Sequence, residues 1–175
     1  MAFVLEDGTG IANANAYIST DEMKSYHLDR GVEISAQYND TDLQRAIVKG
    51  TDHFEQVYGP DLLGRKLTTT QALSFPRACL YEPEFCYVPI TGVPPKLKYA
   101  IAEYALRELI NPGSLDPDPV VSDTGLQVSS TMEKAGPIEE RVTYLGSEPR
   151  TVKSFPKGDR WVVDFVGPQG GSQRA

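Results

Sequence analysis

Two cysteines and two histidines are the side chains in this sequence that could hold a metal ion or act as nucleophile and base. Cys79 and Cys86 are separated by six residues without a CxxC motif, and His27 and His53 lie far from both. A structural zinc site needs four ligands at short paired spacings, so these residues predict no metal site. We expect both cysteines to be reduced and packed as small apolar side chains, with a disulfide across a turn as the less favoured alternative.

Catalytic and cofactor-binding motifs are missing from the sequence. No GxSxG turn presents a serine as a nucleophile, and we expect each histidine to be an ordinary residue on a helix face. The glycine-rich stretch Gly8-Thr9-Gly10 lacks the lysine of a phosphate-binding loop. The sequence therefore predicts that the chain is not an enzyme and has no catalytic residue, metal ligand or cofactor.

An aromatic, irregular stretch that begins at Gln71 offers a different chemistry, the stacking of bases from single-stranded nucleic acid. Stacking sites normally accompany a positively charged groove, but the only basic residue in this run is Arg77, and Glu82 and Glu84 are acidic. We therefore predict a structural strap with Arg77 as its polar tie, and keep strand binding as the alternative. The aromatic residues concerned are Phe75, Tyr81, Phe85 and Tyr87.

Three amphipathic helices are predicted to form the body across which this strap lies. Each starts at a capping residue or a proline and ends at glycine or proline, the usual signals of helix boundaries. Gly50 lies on the apolar face of the second helix, where a glycine is costly, so it predicts a close helix crossing. The predicted helices cover about residues 20–30, from Asn39 to Tyr58, and from Pro94 to Ile110, within a body of residues 1–113.

The chain changes character after Gly113. A proline-rich linker leads to alternating polar and apolar residues between 126 and 145, which predict a β-hairpin. Residues 151–175 are rich in aromatic and apolar side chains and end in a glycine-bearing tail, which predicts an extended C-terminal docking arm. The predicted fold is mainly α: a small helical bundle of three main helices with an irregular strap, a hairpin insertion within residues 114–150 and an arm over residues 151–175.

Two sets of side chains are predicted to contact other proteins. An isolated two-stranded hairpin is marginally stable in water, so its apolar side chains are expected to face a partner. The single tryptophan of the arm is the expected anchor, because a few buried aromatics usually dominate a protein interface. The arm residues are Phe155, Trp161, Val163, Phe165, Val166 and Arg174, and the hairpin residues are Val128, Met132, Val142 and Tyr144.

The composition restricts the possible partners. The 175 residues carry 24 acidic and 17 basic side chains, for a formal net charge of −7. Sequence-independent binding to nucleic acid draws its affinity from Lys and Arg, so this balance argues against such binding and suits a surface past which DNA must slide. No stretch approaches the roughly 20 apolar residues of a membrane span, and the first residues do not read as a signal peptide, so we expect synthesis in the cytoplasm and no membrane partner.

Several stretches together resemble one known family. The chain is similar to the head–tail adaptor, or head-completion, proteins of tailed bacteriophages, many of which are labelled DnaT-like single-stranded-DNA-binding proteins. Phe75 stands where a tryptophan is common in that family. The stretches that carry the resemblance are the opening FVLEDGTGIANANAY, the strap QALSFPR, the helix start VPP, the segment SSTMEKAGPIEERVTY and the tail GGSQR.

The resemblance implies a role in the phage neck. It implies a homo-oligomeric ring, commonly of twelve copies, in the virion at the head–tail interface. The arm would bind the portal protein, the hairpin a neighbouring subunit or the next neck or tail-completion protein, and the genomic DNA would pass through the lumen without specific binding. The alternative function is a replication-associated protein that binds single-stranded DNA, as the label suggests.

Overall fold

The computed structural model describes residues 2–81, 92–115, 128–132, 141–144 and 154–167, the two strand ranges by backbone alone. The chain forms two compact units. One joins Met1–Leu115 with Ser154–Ala175, and the other is Asp116–Lys153. The first unit holds four helices and the strap, and the second holds a β-hairpin. The mainly α fold predicted from the sequence is confirmed.

Helix α1, Thr20–Leu28, begins at a complete capping box. The Ser19 side chain accepts a hydrogen bond from the backbone N–H of Glu22, and the Glu22 side chain in turn accepts one from the backbone N–H of Ser19. Such reciprocal bonds satisfy two donors that the first turn of a helix leaves free. Met23, Tyr26 and His27 form the buried face of the helix.

Helices α2, Asp40–Val57, and α3, Pro95–Ile110, form the centre of the unit and cross at Gly50. A Cβ atom at Gly50 would lie 3.2 Å from the backbone nitrogen of Ala105 and 3.3 Å from the carbonyl oxygen of Ile101. The predicted close crossing is therefore confirmed, since even a Cβ atom at position 50 would make unusually tight contacts with the α3 backbone. Leu43, Ile47 and Phe54 of α2 and Leu97, Ile101 and Tyr104 of α3 are fully buried around this contact.

The strap lies against α2 through a buried hydrogen-bond network around Glu55. The Tyr17 hydroxyl donates to the Glu55 carboxylate at 2.5 Å, and the backbone N–H and hydroxyl of Ser74 donate to the same carboxylate. The backbone N–H of Phe75 donates to the Tyr17 oxygen at 3.0 Å, and the Phe75 ring is fully buried. The strap is further closed by two short antiparallel strands, β1, Arg65–Lys66, and β2, Arg77–Ala78.

The C-terminal segment differs from the extended arm predicted from the sequence. Its described residues, 154–167, form helix α4, Pro156–Val162, and a 3-10 turn, Val163–Phe165, packed against α3. Gly158 permits this contact, because a Cβ atom there would lie 2.3 Å from the Tyr104 ring. Phe155, Val162 and Phe165 are core residues. The arm is helical here because its apolar side chains have a surface of the same chain on which to pack.

The second unit contains the predicted hairpin. Strand β3, Val128–Met132, pairs antiparallel with strand β4, Arg141–Tyr144, with Val128 opposite Tyr144 and Met132 opposite Arg141. The register shifts between Val128 and Ser130, which is the mark of a bulge or irregularity. The prediction of a hairpin between residues 126 and 145 is confirmed for these two strands.

Candidate functional site

An open groove lies between α1 and the start of α3, with a volume of about 540 Å³. The rings of Tyr26 and Tyr99 are stacked at its side, with 5.0 Å between their centroids and 28° between their planes. Ile18, Val93 and Pro95 complete its apolar lining. We call this surface the α1–α3 groove. Tyr26 and Ile18 are buried, and the accessible side chains of Tyr99, Val93 and Pro95 provide the kind of apolar surface that binds an extended segment of another chain.

Arg30 and Trp161 also contact the stacked tyrosine rings. The Arg30 guanidinium lies 3.6 Å from the Tyr26 centroid and 5.5 Å from that of Tyr99, within cation–π range. The Trp161 ring meets Tyr99 edge-on at 5.3 Å. The Tyr26 hydroxyl donates to Glu103 at 2.9 Å, and burial together with this carboxylate raises the pKa of Tyr26 to about 12. The row of rings is thus held by contacts from three helices.

Carboxylates dominate the α1 side of the groove. Lys98 binds Glu22 at 2.6 Å. Burial raises the pKa of Glu22, but the hydrogen bonds from Lys98 and Ser19 lower it by more, so the pKa lies below its ordinary value. The pair is therefore ionised at neutral pH. The side chain of Asp21 is 92% exposed, with only Lys24 at 4.0 Å. Asp29 is exposed at the end of the same helix. With Lys98 offset by Glu22 and Arg30 also in the lining, the two aspartates leave the groove with one net negative charge.

A second surface of the same unit has the opposite charge. Leu63 and Leu67 are large apolar residues that are 44% and 52% exposed, and between them Arg65 and Lys66 are exposed on β1. Among the described residues, Arg65 has no carboxylate partner, and Lys66 donates to the carbonyl oxygen of Ala72 at 3.3 Å. We call the segment Leu63–Leu67 the basic tongue.

Arg77 binds the backbone of the basic tongue through hydrogen bonds from its guanidinium. Its Nε donates to the carbonyl oxygen of Leu63 at 2.6 Å, and its Nη2 donates to those of Gly64 and Leu62 at 2.9 and 3.2 Å. Its Nη1 donates to the carbonyl oxygen of Ser74 at 3.3 Å. The predicted role of Arg77 as polar tie of the strap is confirmed by these four bonds.

The structure separates the residues predicted for the arm by their exposure. Phe155 and Phe165 are buried in the core, and Val166 is partly buried. Only Val163, 66% exposed, stands free at the surface, while Trp161 packs on Tyr99. Phe155 and Phe165 therefore stabilise the helical unit and cannot reach a partner while α4 is docked. Arg174 lies outside the described residues.

The hairpin residues predicted as an interface lie on the two paired strands. Val128 and Tyr144 are direct cross-strand partners, and Met132 and Val142 lie near the other end of the pairing. They belong to the second unit, apart from the groove and the basic tongue. Their role in binding remains a prediction.

The remaining candidates from the sequence are structural or lie elsewhere. His27 is buried and its Nε2 is 3.0 Å from the carbonyl oxygen of Ala102, and His53 is buried against the rings of Tyr104 and Phe155.

Cys79 is free and exposed with a φ of 58°, so the prediction that it packs as a small apolar side chain is wrong. Its place in a tight turn next to Gly64 keeps it at the surface. Of the strap aromatics, Phe75 is in the core and Tyr81 is 49% exposed, whereas Phe85, Tyr87 and Cys86 lie outside the described residues.

The sequence did not point to the groove or the basic tongue. Arg30 follows Tyr26 by four residues, just past the end of α1, which is a visible local signal, but Tyr99 and Trp161 come from distant positions. Within the described part of the chain, no three acidic, His or Cys side chains come together as metal ligands. No helix among those residues is long and apolar enough to cross a membrane.

Comparison with known proteins assigns the family. Neither a curated protein nor a solved structure matches the chain. A family model described as "Putative DnaT-like ssDNA binding protein" matches residues 1–175, the whole of the sequence. The chain therefore belongs to the DnaT-like single-stranded-DNA-binding protein family.

Proposed function

We propose that this chain is a structural adaptor of the phage neck, which forms a ring below the portal and connects the capsid to the tail. The observation that carries the proposal is the division into a packed helical unit and a second unit whose described residues are a two-stranded hairpin. A hairpin of this size is marginally stable by itself, so its strands need a surface to pack on. An assembly protein that meets several neighbours supplies such surfaces.

The use of the basic side chains supports an assembly role over DNA binding. Lys24, Arg45, Lys49, Lys96 and Lys98 bind carboxylates of the same chain. The Arg77 guanidinium is occupied by backbone carbonyls. Cations neutralised in this way release few counterions from a phosphate backbone, so they add little affinity for DNA. With a net charge of −7, the chain suits a conduit wall that lets DNA pass.

Binding to single-stranded DNA is the second candidate function, and the family description favours it more directly than it favours the adaptor role. Tyr99, Trp161 and Arg30 are the accessible groups that would stack bases in this case, because the Tyr26 ring is buried. The carboxylates of Asp21 and Asp29 beside it would repel the phosphates. We therefore rank this function below the adaptor role.

Reconstitution with the portal protein of the same phage tests the adaptor role. Size-exclusion chromatography and electron microscopy of the mixture should show a ring of this chain bound to the portal. The variant Val163→Glu should weaken the complex, because Val163 is the exposed apolar residue among the described arm positions. Leu28→Glu, a matched change of an exposed apolar residue on α1, should leave it intact. A mixture that shows neither ring nor complex would refute the proposal.

A titration with a labelled oligo-dT tests the second candidate. A strand-binding protein should bind with micromolar or tighter affinity, and the affinity should fall steeply as salt increases. We expect no saturable binding at low salt. Binding that is lost in Tyr99→Ala and Arg30→Ala would instead favour the strand-binding function and place it on the aromatic row.

A further inference from the structure

We propose that copies of this chain associate head to tail, with the basic tongue Leu63–Leu67 of one copy bound in the α1–α3 groove of the next. The inference rests on the proposed ring-forming function and specifies the contact that would build the ring. It assigns a partner to two surfaces of the helical unit that are otherwise unexplained.

Charge complementarity is the first argument. The groove lining holds three carboxylates, Asp21, Glu22 and Asp29, against the two cations Lys98 and Arg30, which leaves it with one net negative charge. Lys98 is paired with Glu22, and Arg30 lies on the Tyr26 ring. The basic tongue presents Arg65 and Lys66 to solvent, without carboxylate partners among the described residues. Opposite patches of this kind orient two proteins and penalise the wrong register. The contact also reduces the repulsion that the net negative charge causes between copies.

The apolar parts of the two surfaces match as well. Leu63 and Leu67 flank the basic pair and expose roughly half of their surface. The groove offers the partly exposed side chains of Tyr99 and Val93 and the exposed ring of Pro95, whereas Tyr26 is buried beside them. A volume of about 540 Å³ is within the range of sites that accept a few side chains. Exposed leucines beside basic residues and a ring-lined acidic groove are complementary in chemistry as well as in charge.

The basic tongue is fixed to the rest of the unit by hydrogen bonds. Arg77 donates to the carbonyl oxygens of Leu63 and Gly64 in the tongue and of Leu62 just before it, and the backbone N–H of Leu67 donates to the carbonyl oxygen of Pro76 at 3.1 Å. Gly64 has a φ of 73°, and a Cβ atom there would lie 2.5 Å from the carbonyl oxygen of Ala78. A segment fixed in one conformation loses little entropy on binding, which favours a repeated contact between subunits.

The two surfaces have no residue in common, so a contact between them joins different patches of successive copies. Contacts of this type leave each subunit with one free groove and one free tongue, and they close into a ring or continue as a filament. A symmetric dimer would require the tongue of each of two copies to reach the groove of the other at the same time. The masses found by native mass spectrometry distinguish such a dimer from a ring.

Charge reversal of the full-length chain tests the proposal by sedimentation velocity and native mass spectrometry over concentrations up to about 1 mM. The tongue variant Arg65→Glu/Lys66→Glu and the groove variant Asp21→Lys/Asp29→Lys should each weaken self-association at least about tenfold. The matched control Arg45→Glu/Arg160→Glu removes the same charge from exposed sites elsewhere and should associate like the wild type. The fluorescence of Trp161 and the helical circular dichroism verify that every variant is folded.

Combining the variants gives a stricter test. The chain that carries both charge reversals should regain association, because both partners of the contact have changed sign. A mixture of the two single-surface variants should also regain association, as alternating copies, because the reversed tongue of one variant meets the reversed groove of the other and the unchanged tongue of the second meets the unchanged groove of the first. A mixture that associates no better than either variant alone would contradict the contact. Association of the wild type should also weaken with salt, because the charges concerned are exposed.

The outcomes separate this inference from the proposed function. A wild type that forms rings or binds the portal, while both reversals leave the ring intact, would overturn the tongue-in-groove contact and preserve the adaptor role. A wild type that stays monomeric up to the highest concentration and also on the portal would overturn both. Loss of oligo-dT binding in the tongue variant, without any change in self-association, would identify the basic tongue as a nucleic-acid contact and refute the inference.

Discussion

Single residues set how closely the helices of the first unit approach one another. Gly50 and Gly158 both face α3, the first across the α2 crossing and the second beneath the Tyr104 ring. The Tyr104 hydroxyl donates to Asp159 at 2.8 Å, and that carboxylate also accepts the backbone N–H of Phe155. Burial and the neighbouring Tyr58 and Asp159 raise the pKa of Tyr104 far above its ordinary value, so it stays a hydrogen-bond donor. Its ring therefore has little freedom to move.

Gly158→Ala tests this contact. The new Cβ atom would lie 2.3 Å from the Tyr104 ring, which is fully buried and hydrogen-bonded. We expect a loss of about 1–3 kcal/mol in the free energy of unfolding, because overpacking outweighs the higher helix propensity of alanine. Gly59→Ala is the matched control, since its Cβ atom would meet its neighbours at 3.7 and 3.9 Å. Urea unfolding measures both, and equal effects would contradict the prediction.

His27 predicts a dependence of stability on pH. Burial lowers the pKa of His27 in the folded protein, although the Ala102 carbonyl and Glu103 raise it in part, and Arg30 and Lys157 add to the lowering. The unfolded chain therefore binds a proton more readily than the folded one, with a pKa near its ordinary value of about 6.5. The stabilisation is complete above that pH and is lost as the pH falls toward the folded pKa.

Comparison with a variant isolates this contribution. Between pH 7 and pH 5 the wild type should lose up to about 1.4 kcal/mol per pH unit through this group, beyond the loss from carboxylates. His27→Gln, which can still donate to the Ala102 carbonyl, should lose less over the same range. Urea unfolding at several pH values gives both curves, and parallel curves would exclude the role of His27.

At the scale of elements, the strap is ordered by polar side chains that reach backbone groups. Glu55 of α2 accepts hydrogen bonds from Tyr17 and Ser74, and Arg77 donates to four carbonyl groups. Irregular chain cannot satisfy its backbone groups by regular pairing, so side chains must do so. The described part of the strap can therefore hold a defined shape with the short strands β1 and β2 alone.

Arg77→Lys should loosen the basic tongue while α2 and α3 stay folded. A lysine offers a point charge in place of the planar fork of five donors, so it cannot make the four bonds that Arg77 makes. We expect amide hydrogen exchange at Leu67 and Gly64 to accelerate about tenfold or more, with little change in α3. Arg45→Lys, on an exposed face of α2, serves as the control. Unchanged exchange at both amides would show that Arg77 is dispensable for the tongue.

At the scale of the whole molecule, the helical unit is completed by the last part of the chain. Residues 154–167 return to α3 after the second unit, Asp116–Lys153. They bring Phe155, Val162 and Phe165 into the core, and Asp164 forms an ion pair with Lys96. Any docking role of the C-terminal segment must therefore use its exposed residues or those beyond Gly167.

Deletion of residues 154–175 should strongly destabilise the helical unit. It removes three buried apolar side chains, each worth about 1.5–3 kcal/mol, which together are a large fraction of the stability of a domain. We expect a molecule without cooperative thermal unfolding by circular dichroism. Deletion of residues 168–175 alone should leave the melting temperature unchanged. A shortened chain lacking residues 154–175 that melts like the wild type would contradict the placement of α4 in the core.

The sequence by itself determined the three helices α1, α2 and α3, the hairpin and the strap, but not α4. Helix boundaries depend on caps, prolines and apolar spacing within a few residues, so Ser19, Asn39 and Pro95 were sufficient to place α1, α2 and α3. Gly50 also predicted the helix crossing, because a glycine is costly inside a helix and is tolerated on an apolar face when a neighbouring helix packs closely against it.

Only the tertiary structure decided which apolar segments turn inward and which distant side chains meet. The residues around Phe155 and Phe165 would be the same in a free docking arm as in a buried segment, so the sequence does not separate the two cases. The two side chains are buried because the folded unit offers α3 as a surface for this segment to pack on. The α1–α3 groove unites Tyr26 with Tyr99, and the basic tongue depends on Arg77 reaching back to Leu63. Such contacts join residues far apart in the chain, and local patterns carry no information about which partner a side chain will find.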